Sequence, residues 1–174
     1  MGFLKCFCWF LIIGVISFIA GRIMPKHWIS FDKFPFAPFD FEMEGKIYKK
    51  IGIAKWQSKV PDMSRVFKKI MPPKRIENRP EIKELVLMIE ETCVAEIVHI
   101  LIIFCGAGYL MLWEGFGGIL CFLLNVFANL VFVVIQRYNR PRLMKILKRK
   151  GYEPKKESAK FACSDTQLQH RRRT

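Results

Sequence analysis

Acidic residues and histidines are scarce in this 174-residue chain: 15 Asp and Glu stand against 29 Lys and Arg, with three His and a formal net charge of +14. So few ligands limit metal chemistry. Glu96-x-x-His99 is one copy of a pair used by carboxylate-bridged di-metal sites, which need a second copy and two more glutamates; the other histidines are His27 and His170. No Cys-x-x-Cys pair has a matching second pair, which argues against a zinc ribbon, so neither a metal nor a cofactor is expected. A Gly-x-Ser-x-Gly nucleophile turn is absent, and so is any internal repeat. Cys6, Cys8, Cys93, Cys105 and Cys121 lie in or beside apolar runs, where thiols pack as small apolar groups rather than form a disulfide framework.

What the chain does have is 52% hydrophobic residues kept apart from its charge. Fifteen of the basic residues lie between Arg22 and Lys83, 13 lie from Arg137 onward, and only Lys5 lies elsewhere. The intervening runs are lipid-like. They cover about Gly2 to Ala20, Ala95 to Trp113 and Gly117 to Ile135, each near the roughly 20 residues that a helix needs to span a bilayer. Trp9, Tyr109 and Trp113 suit the span ends, and Glu114 to Gly118 is turn chemistry that makes the second and third runs an antiparallel hairpin.

The expected fold is an all-α membrane protein with about three transmembrane helices, a C-terminal helical hairpin and interfacial amphipathic segments. Residues 1-21 form the N-terminal transmembrane helix, 22-84 a basic and aromatic cytoplasmic or interfacial segment, 85-151 the hairpin with the candidate site, and 152-174 a disordered basic tail. The positive-inside rule puts both basic blocks on the cytoplasmic face of a multi-pass cell-membrane protein. The competing reading, a cleaved signal peptide ending near Ala20-Gly21, would export fifteen cations. Anionic lipid and topology account for the basic blocks, so nucleic acid is not an expected partner; oligomeric state stays open.

Within the first basic block, Trp28, Phe31, Phe34, Phe36, Phe39 and Phe41 are broken by Pro35 and Pro38, which forbids a regular helix and suits the headgroup zone. Ile47, Ile51, Ile53 and five lysines around Trp56 continue this interfacial character. Pro72-Pro73 and Asn78-Arg79-Pro80 punctuate the route to a helix whose acidic start, Glu81 and Glu84, suits the helix dipole.

The candidate chemistry begins on that helix. At about 100° per residue, Thr92, Glu96 and His99 share a face as the chain enters the apolar zone, and Glu96 is placed to orient His99. A charged group facing lipid costs roughly 2.5–3.5 kcal/mol, so the pair should face the protein interior or a wet pocket. In the third run Asn125, Asn129 and Gln136 form a second polar stripe that Asn139 and Arg140 extend. The hairpin brings both stripes to one membrane face, where Gln136, Arg137, Asn139 and Arg140 come within reach of Glu96 and His99. Pro141 disfavours helix at Arg140 and should turn the chain onto the membrane surface, laying Arg142 and Lys145 along the headgroups. Such a bilayer-edge site, with a base, an acid partner and a cationic clamp, suits group transfer involving a lipid.

Three anchors carry a resemblance to a known family: Lys55-Trp56 leading to Pro61-Asp62, Glu91-Thr92 with Ala95-Glu96 and His99, and Asn129 with Gln136-Arg137-Tyr138-Asn139-Arg140-Pro141-Arg142-Leu143. Across about Gly45 to Gly151 the chain resembles the glycosyl-4,4'-diaponeurosporenoate acyltransferases, which complete staphyloxanthin synthesis. The resemblance implies an acyl donor, a glycosylated carotenoid or similar glycolipid acceptor, and transfer of a fatty acyl group to a sugar hydroxyl. In that setting His99 would act as general base, Glu96 would orient it, and Arg137, Arg140 and Arg142 would hold the donor's phosphate or carboxylate; Gln136, Tyr138, Asn139, Asn129, Lys55 and Trp56 would contact substrate. The His-x-x-x-x-Asp signature of phospholipid acyltransferases is absent. The alternative is a non-catalytic membrane protein that binds anionic lipid or a partner enzyme.

Overall fold

A computed structural model describes residues 1–25, 29–39, 41–42, 46–57, 60 and 80–152, and every regular element among them is helical. Helix α1, Gly2–Ile23, follows the first apolar run and ends at Met24, whose extended backbone is what a following Pro25 imposes. Its 22 residues rise about 33 Å, enough to cross the hydrocarbon layer. Two short helices follow. They are α2, Lys46–Lys50, and α3, Ile53–Trp56, with Gly52 between them at φ 68°, in the left-handed region that favours glycine.

The hairpin is built from α4, Ile82–Cys105, the short α5, Gly108–Leu112, and α6, Phe116–Arg149. At the start of α4, Glu81 and Glu84 form a reciprocal capping box, the Glu81 backbone N–H donating to Glu84 Oε2 at 3.0 Å. The second apolar run is not one unbroken helix. It opens at Gly106 and Ala107, and the Trp9 indole N–H of α1 donates to the Cys105 carbonyl at 3.1 Å, partnering a carbonyl near the break. Gly115, at φ 80°, makes the reversal into α6.

Glycine sets how closely this tip can pack. A Cβ on Gly118 would sit 2.0 Å from the Trp113 carbonyl oxygen, and one on Gly106 would sit 2.2 Å from Asn125 Nδ2. The broad face of α6 looks outward: Leu124 and Phe127 are 60% and 71% exposed, whereas Asn125 and Asn129 are 7% and 8% exposed. Amides inside and large apolar side chains outside is the arrangement that lipid surroundings favour. Among the described residues, three helices are long and apolar enough to cross a membrane, counting α4 and α5 together as Ile82–Leu112.

Helix α6 has 34 residues and a length of about 51 Å, so about 20 Å of it extends beyond a hydrocarbon layer of about 30 Å. That extension is held by a compact apolar core. Ile29 and Phe31 pack with Leu85, Ile89, Cys93 and Val94 of α4 and with Leu143 and Leu147 of α6. The expected turn at Pro141 is therefore corrected, because the helix runs through it to Arg149. Proline only disfavours helical geometry in its predecessor, and here the Arg140 side chain is fixed by hydrogen bonds that keep it in register. Lys145 and Arg142 are exposed on the helix rather than on a surface-lying segment.

The Phe31 to Phe41 stretch forms turns and a short 3-10 segment rather than a regular helix, as its prolines dictate. His27, Trp28, Asp40, Pro61, Asp62, Pro72, Pro73, Asn78, His170 and the tail from residue 153 lie outside the described residues.

Candidate active site

Two linked polar groups occupy the α4–α6 interface. The deeper one is a ladder. Asn125 Nδ2 donates to the Ile102 carbonyl at 3.2 Å, Asn129 Nδ2 donates to the Asn125 carbonyl at 2.8 Å and to Asn125 Oδ1 at 3.1 Å, and Asn129 Oδ1 lies 2.8 Å from His99 Nδ1. Backbone carbonyls only accept, so they fix which way each amide points. Asn129 Oδ1 then faces the ring as an acceptor, and His99 Nδ1 must carry hydrogen. In the neutral imidazole this leaves the basic lone pair on Nε2. The ring also stacks on Phe132, with centroids 4.7 Å apart and planes 5° from parallel, so its orientation is set by packing as well as by hydrogen bonding.

One turn toward the basic end lies a cluster of two arginines and two glutamates with no net charge. Arg137 Nε donates to Glu96 Oε1 at 2.7 Å, Nη1 to Glu42 Oε1 at 3.0 Å, and Nη2 to the Pro35 carbonyl at 2.8 Å. Arg140 donates to Thr92 Oγ1 at 3.0 Å, to the Thr92 carbonyl at 3.2 Å, to the Phe36 carbonyl at 2.9 Å and to Glu96 Oε2. Arg140 is 1% exposed. Buried charges of this kind persist because each is paired and hydrogen-bonded.

Glu42 ties the aromatic loop to this cluster, accepting from the Phe39 backbone N–H at 2.9 Å and from the Tyr48 hydroxyl at 2.5 Å. Burial first, and the bond to Glu42 second, push the Tyr48 phenol well above its ordinary range. Phe39 and Phe36 cover the guanidinium groups of Arg137 and Arg140, at 4.4 and 5.5 Å from the ring centroids. Phe36, Pro38, Glu42, Arg137, Arg140 and Pro141 leave only a shallow surface depression.

This geometry separates the residues singled out in the sequence. Glu96 and His99 share a face, but both Glu96 oxygens engage arginines, and Asn129 is the partner at His99 Nδ1. In the expected cationic clamp, each guanidinium nitrogen of Arg137 and Arg140 already donates to a protein group. Arg142 differs: it is exposed, with its guanidinium 5.0 Å from the buried Tyr138 ring. Gln136 is buried and Asn139 half-buried on α6. On α3, Lys55 is exposed and the Trp56 indole donates to the Ile51 carbonyl at 3.2 Å. Sequence spacing missed Glu42, Tyr48 and Phe132. For Glu42 the signal was an acid inside an aromatic stretch of a basic block.

A family model for glycosyl-4,4'-diaponeurosporenoate acyltransferase matches residues 25–149, which include the ladder and the ion cluster. The chain belongs to this family. Two proteins named glycosyl-4,4'-diaponeurosporenoate acyltransferase, from Staphylococcus aureus strain Newman and strain MRSA252, are 30% and 29% identical to it over 156 and 162 residues. Each match covers 84% of this chain and 90% of the relative. No solved structure matches. Membership in the glycosyl-4,4'-diaponeurosporenoate acyltransferase family makes the chain an acyltransferase, and no group of three metal-ligating side chains occurs among its described residues.

Proposed function

We propose that this chain moves a fatty acyl group from a donor to a sugar hydroxyl of a glycosylated carotenoid or a similar glycolipid, with His99 as general base. The oriented ring carries the reading: Asn129 holds His99 Nδ1–H and leaves Nε2 as the nitrogen that takes a proton. The sugar oxygen attacks the donor's acyl carbonyl carbon as its proton passes to Nε2. The new ester C–O bond then forms, the bond from the carbonyl carbon to the donor's leaving heteroatom breaks, and the proton is returned to that heteroatom. General acid–base help of this kind contributes about 10²–10⁴ in rate.

Glu96, Arg137 and Arg140 act as a positioning framework in this account. They hold α4 against α6 and carry the aromatic loop across the basic end of the ladder. Arg142 is the arginine left to meet an anionic donor headgroup, with Tyr138 supporting it, while Gln136 and Asn139 continue the ladder's face toward the acceptor sugar. Lys55 and Trp56 fit an interfacial role at the headgroup level. The basic segments face the cytoplasm and the hairpin tip the opposite side, in keeping with the charge segregation.

Lipid extracts from cells with and without the chain test the reaction. Mass spectra should gain acylated glycosyl carotenoids, or another acylated glycolipid, only when the chain is present. Identical lipid profiles in cells supplied with the glycosylated carotenoid acceptor would sink the proposed reaction.

A further inference from the structure

Beyond the ladder and the ion cluster, the described residues contain an open apolar groove of about 470 Å³ between the end of α1, the aromatic loop and α4. Its walls are Ala20, Ile23, Met24, Pro25, Ile29, Phe36 and Ile97. Among the described residues, no hydrogen-bonding side chain lines it. The volume falls within the roughly 300–1,000 Å³ typical of small-molecule sites, and a lining of this kind selects hydrocarbon.

Its placement narrows the occupant. At one end Arg22 of α1 pairs with Glu91 of α4 at 3.6 Å, beside Ile23 and Met24. Ile97 lies six residues beyond Glu91, about 9 Å deeper along the helix. The groove therefore runs from a charged level into the apolar zone, the profile that an amphiphile with a polar head and one hydrocarbon tail would follow. Phe36 is shared between the groove wall and the cover over Arg140.

We propose that this groove binds the fatty acyl chain of the acyl donor. The assignment rests on the acyltransferase reading above for the identity of the chain's owner, but the binding itself can be measured without turnover. The full chain in phosphatidylglycerol nanodiscs is photolysed with a diazirine-bearing palmitic acid, and adducts are mapped by peptide mass spectrometry. Adducts should concentrate on Ala20, Ile23, Met24 and Ile97. Unlabelled palmitate should suppress them at least about tenfold better than octanoate, since each buried methylene adds to affinity.

Ala20→Trp, which fills the groove from α1, should lower adduct yield at least about tenfold, and Ile97→Trp should do so from α4. Thermal unfolding of both variants guards against a loss of fold, and either folded variant suffices. Adducts spread evenly over the lipid-facing Leu123, Leu124 and Phe127, or yields unchanged by both substitutions, would mean annular lipid contact only and overturn the proposal. If the groove labels as expected while no acyl group is ever transferred, the groove stands and the reaction proposed above fails. If acyl transfer proceeds while the groove stays unlabelled, the reaction stands and the groove assignment fails.

Discussion

Asn129 governs His99 through one hydrogen bond, and its oxygen is available to the ring only because its amide nitrogen is committed to Asn125. Asn129→Leu should remove the orienting acceptor and lower the acyl-transfer rate by roughly 10–100-fold, a loss read from initial rates at saturating acceptor. A variant within about threefold of wild type would mean that Phe132 stacking alone suffices. Tyr48 offers a test at the same scale. Its folded-state pKa is raised, so the Tyr48–Glu42 bond contributes fully below the ordinary tyrosine value of about 10 and is lost as pH climbs above it. In an absorbance titration of tyrosinate, Tyr48→Phe should delete a component that ionises above that value. The sequence placed Glu96 and His99 on one face and brought Arg137 and Arg140 within reach of them, but it paired Glu96 with His99 rather than with the arginines. A guanidinium attracts a carboxylate more strongly than a neutral imidazole does, and two arginines lie within reach of Glu96.

At the scale of elements, the hairpin was legible because an apolar run, a glycine-rich turn and a second apolar run leave an antiparallel pair as the simple solution. The break at Gly106 and the passage of α6 through Pro141 were not, since both depend on contacts from elsewhere: Trp9 across the first and Arg140 beside the second. The tip is limited by backbone approach. Gly118→Ala would drive a methyl into the Trp113 carbonyl, which cannot rotate away, and should lower the thermal midpoint of the detergent-solubilised protein by several degrees. The aromatic loop is limited by charge. Glu42→Gln removes one partner of a buried pair and should cost about 3 kcal/mol, with faster hydrogen exchange at the Phe39 amide that Glu42 accepts from. Unaltered exchange there would mean that the Pro35 and Phe36 carbonyl contacts alone hold the loop. Glu42 lies 95 residues from Arg137 in the chain, and no local pattern could have paired them.

For the whole molecule, the segregation of charge from apolar sequence gave the helical membrane architecture, while the core outside the apolar spans came from the fold. Ile29 and Phe31 reach that core across a loop whose path composition does not specify. Reporter fusions test the expected orientation: a fusion following Tyr152 should be active only as a cytoplasmic reporter, and one within the Glu114–Gly115 turn only as an external reporter. The core, the ion cluster and the ladder together hold one imidazole at a fixed angle near the edge of the apolar layer. The central claim is that this imidazole does the proton transfer. The most direct measurement is single-turnover transfer of a labelled fatty acyl group to a glycosylated carotenoid in nanodiscs, comparing wild type with His99→Gln at matched folded protein. The account predicts a loss of about 10²–10⁴ in rate, and a variant that transfers the label at the wild-type rate would contradict it.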